Sequence, residues 1–374
     1  MHVTDKIIAF MFISFIGIIT ILNMITDDIF FSEQENRILN QKPTFSLENI
    51  LSGKFMDRYE SYISDQFAWK KSWLQIKAVS EKAILKQESN GIYFGKDGFL
   101  LEGYKEPKAQ LHKNIEYINY FAEKNKDIDS YVLLAPTSIE IHKEKLPIFA
   151  QSYSQRAVMD EVNAQLLNSV QFIDVSYSLR NHGNEEIFFK TDHHWTMRGA
   201  YYAYIQAAQT LGFEPYSIGD FELETVSDDF YGTYASKVLG HPVIPDSIEL
   251  FKPLTDPSYK IQYEDNKELS NSLFEWSFLK KKDQYSFFLN GNHSLVTIKS
   301  NIRNGRKLAV IKDSYAHAFI PFLANHFEEI VVIDLRYFHK DVHAFIREND
   351  VKEVLFLYNV VNFTTDSNLI WLKK

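Results

Sequence analysis

The segment Ile7 to Ile25 (IIAFMFISFIGIITILNMI) is an apolar run of 19 residues without a single charge. A helix crossing the hydrocarbon core of a bilayer needs roughly 20 such residues. A run that is apolar on all sides has no polar face to turn to water. Lys6 precedes it, and Asp27 and Asp28 follow it. That asymmetry predicts a cytoplasmic N-terminus and about 345 residues beyond the membrane. A cleaved signal peptide is the alternative, but its apolar region usually spans only about 7–15 residues and ends at an A-x-A-like site. Asn23-Met24-Ile25-Thr26 offers no such site. The expected location is the cell membrane, single-pass, with the C-terminal domain extracytoplasmic.

With 374 residues, 45% of them hydrophobic, the chain is long enough for one large domain or two ordinary ones. The net charge of −9 comes without any basic block, which argues against nucleic acid as a partner. There is no cysteine, so disulfides, thiolate metal sites and a Cys nucleophile are excluded. The 30 Phe and 21 Tyr suit cores, and also clefts in which ring faces stack on sugars.

Residues 27–46 lack any helical or strand period and read as an extended linker. Two helical patterns follow, Leu47–Ile63 and Gln66–Lys86. GIYFGKDGFLLEG (91–103) reads as a hairpin, because Asp97-Gly98 separates two apolar runs. Apolar strands then alternate with helices: SYVLLAP (130–136), QFIDV (171–175), KLAVIK (307–312), EIVVID (329–334) and EVLFLY (353–358). The helices are expected at about 107–126, 154–168, 197–211, 315–326 and 341–349. Such alternation predicts a mostly parallel sheet covered by helices on both faces. Residues 217–300 break the pattern and read as an irregular β-rich insertion, with SIELFK, KIQYE and YSFFLN as its β-like runs. The expected organisation is a cytoplasmic tip and transmembrane anchor over residues 1–28, a linker with membrane-proximal helices over 29–90, and an α/β domain over 91–374.

Ligands of α/β sheets bind outside the carboxyl ends of the strands. KLAVIK is followed there by Asp313-Ser314-Tyr315. A hydroxyl at that turn sits near the unpaired N–H groups and positive dipole end of the next helix, which favours a developing oxyanion. The plainer reading of Ser314 is an N-cap. TDHHW (191–195) also has more than one reading. In an extended segment Asp192 and His194 face the same way and His193 the other. A histidine oriented by a carboxylate is the base that a serine nucleophile needs. Asp192, His193 and His194 also make a possible metal set, but no HExxH accompanies them, and the distant His241 and His293 would have to join. The third reading is a polar loop ahead of a helix capped by Thr196.

TDHHW followed much later by KDSYAHAFIPFL (312–323) resembles the signature of bacterial DHHW-family proteins, relatives of the alginate O-acetylation proteins within the SGNH hydrolase superfamily. SEQENR (32–37), PTSIEIHKEKLP (136–147), FYGT (230–233), DLRYF (334–338) and LYNVVNF (357–363) extend the similarity over most of the chain beyond the anchor. The resemblance implies an SGNH-like α/β fold with Ser314 as nucleophile, His194 as general base and Asp192 as its orienting carboxylate. Most SGNH enzymes have Gly before the Asp-Ser pair; Lys312 stands there in this chain. Asn359, Arg336 and Tyr315 are the candidates for oxyanion or substrate contacts. The implied activity is transfer or hydrolysis of O-acetyl groups on a cell-surface or exported polysaccharide, through an acyl-serine and with no cofactor or metal. The implied partner is a multi-pass membrane acyl carrier, since acetyl-CoA is not available outside the cell. The alternative is a non-catalytic glycan-binding or assembly protein on the same fold.

Overall fold

The computed structural model describes residues 3–32, 35, 37–265 and 267–374. Of the SEQENR segment, Glu33, Gln34 and Asn36 lie outside the described residues, as do Met1 and His2 of the expected cytoplasmic tip. The chain divides into two compact units: residues 1–86 with 236–242, and residues 87–235 with 243–374.

The first unit begins with helix α1 (Val3–Ile25), which contains the whole apolar run and is long and apolar enough to cross a membrane. The expected linker contains a short antiparallel pair, Phe31–Ser32 with Arg37–Ile38. The first helical pattern is broken at Gly53, whose positive φ of 77° ends a helix at 47–51 and starts α2 (Lys54–Asp65). The second pattern forms α3 (Lys70–Ala83).

The second unit is built on one eight-stranded sheet. Its strands are β1 (Asp129–Ala135), β2 (Val170–Ile173), β3 (Tyr259–Tyr263), β4 (Glu268–Ser270), β5 (Leu295–Ser300), β6 (Lys307–Lys312), β7 (Glu329–Ile333) and β8 (Glu353–Asn359). They lie in the order β4-β3-β5-β7-β6-β8-β1-β2. The five strands from β7 to β2 are parallel, and β5, β3 and β4 add an antiparallel wing. Three strands of the expected insertion therefore extend the main sheet. The rest of it holds a separate hairpin, Phe221–Phe230 with Asp246–Pro253. YSFFLN departs from expectation: Gln284–Phe287 is a 3-10 turn, and Leu289 and Asn290 have positive φ. All of Gln284–Phe287 is buried, so continuous apolarity reflects burial there rather than a strand.

Period-two geometry builds a core on each face of the sheet. Leu355 and Leu357 of β8 point to one side, and Val354, Phe356 and Tyr358 to the other. The first face packs against α6 (Met197–Leu211) and α7 (Ala316–Leu323). The second packs against α4 (Gln110–Lys124), α5 (Gln155–Gln165) and α8 (Val342–Glu348). Phe356 is wholly buried, and its truncation to Ala would cost about 3–5 kcal/mol in lost burial and cavity. Helix α6 ends as its sequence predicts, at Gly212 with φ 69°.

Candidate active site

Ser314 lies in the turn between β6 and α7, at the carboxyl end of a central strand of the parallel set. Asp313 shapes that turn. Its Oδ1 accepts from the Tyr315 backbone N–H at 2.9 Å, and its Oδ2 accepts from the Asn359 N–H (2.9 Å), Asn359 Nδ2 (2.7 Å) and Asn362 Nδ2 (2.9 Å). Burial pushes the Asp313 carboxyl up in pKa against those donors. The Asp313 N–H bonds Leu357 O, while the Ser314 N–H has no partner among the described residues. It is thus a donor left over beside the hydroxyl.

The TDHHW loop ends in an isolated bridge, Phe188 with Trp195, just ahead of α6. Thr196 caps that helix, accepting from the Gly199 N–H at 3.1 Å. The loop is held from below by a residue far along the chain. Asp246 accepts from the Lys190 and Thr191 N–H groups (2.7 and 2.8 Å) and from the Thr191 hydroxyl (2.6 Å). With its backbone so fixed, the loop sends Asp192 and His194 toward Ser314.

Asp192 Oδ1 is 2.6 Å from His194 Nδ1, and His194 Nε2 is 2.7 Å from Ser314 Oγ. Burial alone would raise the Asp192 pKa. The His193 and His194 rings and the donors on its oxygens outweigh that, and leave it well below the usual carboxylate range. An ionised Asp192 only accepts, so His194 carries its proton on Nδ1 and Nε2 is free to accept from the serine hydroxyl. Asp192 Oδ2 accepts from the Thr233 N–H at 2.7 Å. Gly232 makes that approach possible, because a Cβ there would lie 2.2 Å from Asp192 Cβ.

Tyr285 completes the geometry. Its ring lies flat against His194, with centroids 3.6 Å apart and planes 7° apart, and its hydroxyl donates to Ser314 O at 3.1 Å. A π face so close favours a ring that takes up positive charge. Burial keeps this phenol neutral. Contrary to the expectation that it faces away, His193 lays its ring against His194, centroids 3.7 Å apart, and its Nδ1 meets Thr233 Oγ1 at 2.8 Å. Burial and repulsion from His194 push its pKa down to about 4.

The other expected contacts fall differently. Tyr315 is completely buried beneath the loop. Its hydroxyl donates to His193 O and its carbonyl accepts from Trp195 Nε1 at 2.9 Å, so it packs under the site rather than lining it. Asn359 uses its amide N–H on Asp313 and its oxygen on the Asn362 N–H (2.9 Å), and so braces the turn that carries Ser314. Arg336 forks onto Asp334 through Nε (2.8 Å) and Nη2 (2.6 Å) and reaches Asn292 at 2.8 Å. Lys312, where Gly was expected, is buried: its Nζ lies 2.9 Å from Asp334 Oδ2 and 2.7 Å from His317 Nε2. The lysine side chain therefore turns into an ion-pair cluster with Asp334 and Arg336.

The ligand atoms of Asp192, His193 and His194 are close enough to hold a metal ion. Both ring nitrogens of His194 are engaged, however, one on Asp192 and one on Ser314. His293 pairs with Asp265, and His241 with Glu81, so neither completes a ligand set. Sequence reasoning missed Tyr285, Asp246 and Thr233. Only the FYGT segment, which contains Gly232 and Thr233, carried a signal.

The mostly parallel sheet with flanking helices is a fold shared with solved structures. The DHHW protein family model matches residues 113–333, and the chain belongs to that family. A solved DHHW family protein from Eubacterium siraeum is 28% identical, with a TM-score of 0.66 over 76% of this chain and 96% of its own. Bacillus cereus PatB1, whose structure with a sulfonyl adduct is solved, is 21% identical, with a TM-score of 0.63 over 74% of this chain and 97% of its own. No curated protein matches the chain.

Proposed function

We propose that the protein is a membrane-anchored, extracytoplasmic serine acyltransferase or esterase acting on O-acetyl groups of a cell-surface or exported polysaccharide. The observation that carries this reading is the continuous link Asp192–His194–Ser314, with contacts of 2.6 and 2.7 Å. His194 Nε2 takes the hydroxyl proton as Ser314 Oγ attacks the acyl carbon. The Ser314 N–H supplies one oxyanion donor. As the tetrahedral species collapses, the imidazolium returns its proton to the leaving group of the acyl donor and an acetyl-serine remains. A second hydroxyl, from a sugar or from water, then gives its proton to His194 and attacks the acetyl carbon; the Ser314 Oγ–acyl bond breaks and the imidazolium returns the proton to Ser314 Oγ. Transferase and esterase differ only in that acceptor. A membrane-bound acyl carrier fits an active site beyond the reach of acetyl-CoA, and α1 supports the anchored location.

PatB1 holds a sulfonyl adduct, and a sulfonyl fluoride or fluorophosphonate is the matching probe for an activated serine here. Labelling of the intact chain is read by peptide mass spectrometry, followed by acetyl transfer from a chromogenic ester to a panel of oligosaccharides. The expected result is one adduct at Ser314, lost in His194→Ala and in Ser314→Ala. Folded protein that stays unlabelled overturns the enzyme and leaves the glycan-binding alternative.

A further inference from the structure

The membrane-proximal unit exposes far more apolar surface than the α/β unit. Among the described residues, 15 large hydrophobic side chains are exposed within residues 27–86, against 13 in the 281 residues of the α/β unit. Water alone does not sustain that density.

The contacts of α1 show where this surface lies. Near its C-terminal end, Asn23 Oδ1 accepts from the Ala68 N–H at 2.8 Å. Eight residues earlier, the Phe15 ring meets Trp73 of α3 edge-on at 6.3 Å. Eight helical residues span roughly 12 Å. Ser14, Ile19, Leu22 and Asn23 are the partly covered positions along this side of α1. The segment that packs against α1 therefore follows it well inside the length that the bilayer must cover. Helix α3 turns a second face outward there. Ile76 and Val79 are 56% and 68% exposed, three residues apart on one side, and Ile84 and Leu85 continue the apolar surface. Trp69 stands exposed at the start of the helix, the position of an interfacial aromatic.

The charges of this segment are compatible with such depth. Arg37 forks onto Asp65, and Lys70 meets Glu35 at 2.6 Å. Lys77 and Glu81 face each other one turn apart at 3.8 Å. The long lysine stems carry the remaining charge to the headgroups. Residues 27–86 hold nine basic and nine acidic side chains, a net charge of zero, so Coulombic attraction to anionic lipid is not what seats the segment.

We propose that α3, with Trp69 before it and Ile84-Leu85 after it, is immersed in the membrane leaflet at the C-terminal end of α1, its Ile76–Val79 face in direct contact with lipid. This rests on the reading of α1 as a membrane anchor. The protein then holds the membrane by two elements, a spanning helix and a half-immersed amphipathic one. The second fixes the height at which the chain leaves the bilayer.

The chain has no cysteine, so single cysteines place spin labels without background. The full chain is reconstituted in neutral phosphatidylcholine nanodiscs with labels at Ile76→Cys, Val79→Cys, Ile18→Cys in α1, and Phe149→Cys, a 94% exposed position of the α/β unit. Collision rates with oxygen, which enters lipid, and with a water-soluble nickel chelate are compared. The proposal expects the oxygen-to-nickel ratio at Ile76 and Val79 to match that at Ile18 and to exceed that at Phe149 several-fold, unchanged in high salt. Ratios like Phe149 at both α3 positions, with Ile18 still in lipid, overturn it. Ile18 reading as aqueous overturns the anchor and this proposal together. A ratio that falls with salt overturns apolar immersion.

Discussion

His194 and His317 both meet Ser314: His194 touches its Oγ, and His317, three residues along the chain in the first turn of α7, bonds Ser314 O through its backbone N–H. Both rings lie nearly parallel to that of Tyr285. Their partners carry opposite charge. His194 meets the Asp192 carboxylate; His317 meets the Lys312 ammonium at 2.7 Å. A carboxylate stabilises a ring that takes up a proton, and an ammonium opposes it. Burial, then Lys312, hold His317 well below the ordinary histidine range, with its buried Nδ1 unpartnered among the described residues. Of the two, only His194 has a carboxylate on one ring nitrogen and a hydroxyl on the other, as the proposed base requires. The partner, and not the residue type, decides the chemistry.

The largest expected effect breaks the comparison on its first side. Asp192→Asn should lower the rate of Ser314 labelling by about 10⁴-fold, because the imidazole loses its tautomer and its counter-charge. His317→Gln should leave that rate within the same order of magnitude; an equal collapse would erase the distinction between the two histidines. Next comes stability on the second side. Lys312→Met leaves Asp334 buried with Arg336 alone, and should cost about 3 kcal/mol in urea unfolding.

Gly232→Ala drives a Cβ into Asp192 and should cost about 2 kcal/mol while slowing labelling. Gly219→Ala, whose nearest neighbour would be 3.7 Å away, serves as the silent control. Acid should expose the neutral histidines. His317 lies well below its ordinary value, and His193 and His326 are pushed down to about 4. Between about pH 6.5 and 4 the unfolded chain binds protons that the folded chain refuses, so stability falls as pH falls, by up to about 1.4 kcal/mol per pH unit for each such group. The lowered Asp192 acts in a separate window, its contribution being lost only as pH falls below the ordinary carboxylate value. Lys312→Met should flatten the slope if the ammonium helps keep His317 neutral. The smallest effect is Tyr285→Phe, which removes one hydrogen bond to Ser314 O but keeps the ring, and should cost about 1 kcal/mol.

Much of this was legible along the chain. KLAVIK runs from Lys307 to Lys312 in sequence and in structure, because a central parallel strand buries both faces and shows it as an unbroken apolar run. Asp192, His194 and Ser314 were candidates from the sequence, but the expected extended segment is instead a run of bends in which the His194 N–H bonds Asp192 Oδ1 and the His193 ring packs on His194. YSFFLN was misread, since apolarity reports burial and not backbone shape. Tyr285 was invisible for the same reason: nothing local marks a ring that will lie against a histidine 91 residues earlier. Nothing local showed where the Lys312 side chain goes; it points into a buried cluster with Asp334.

The sequence by itself determined the apolar helix and most of the strands and helices of the α/β unit. Those properties depend on residues a few positions apart, whose geometry the backbone period sets. Tertiary structure decided that His194 meets Ser314 across 120 residues, that Asp246 and Thr233 hold the loop in place, and that Asn359 and Tyr315 brace the site from behind. Contacts of that kind depend on strand order and on how the two faces of the sheet pack, and no local period records them.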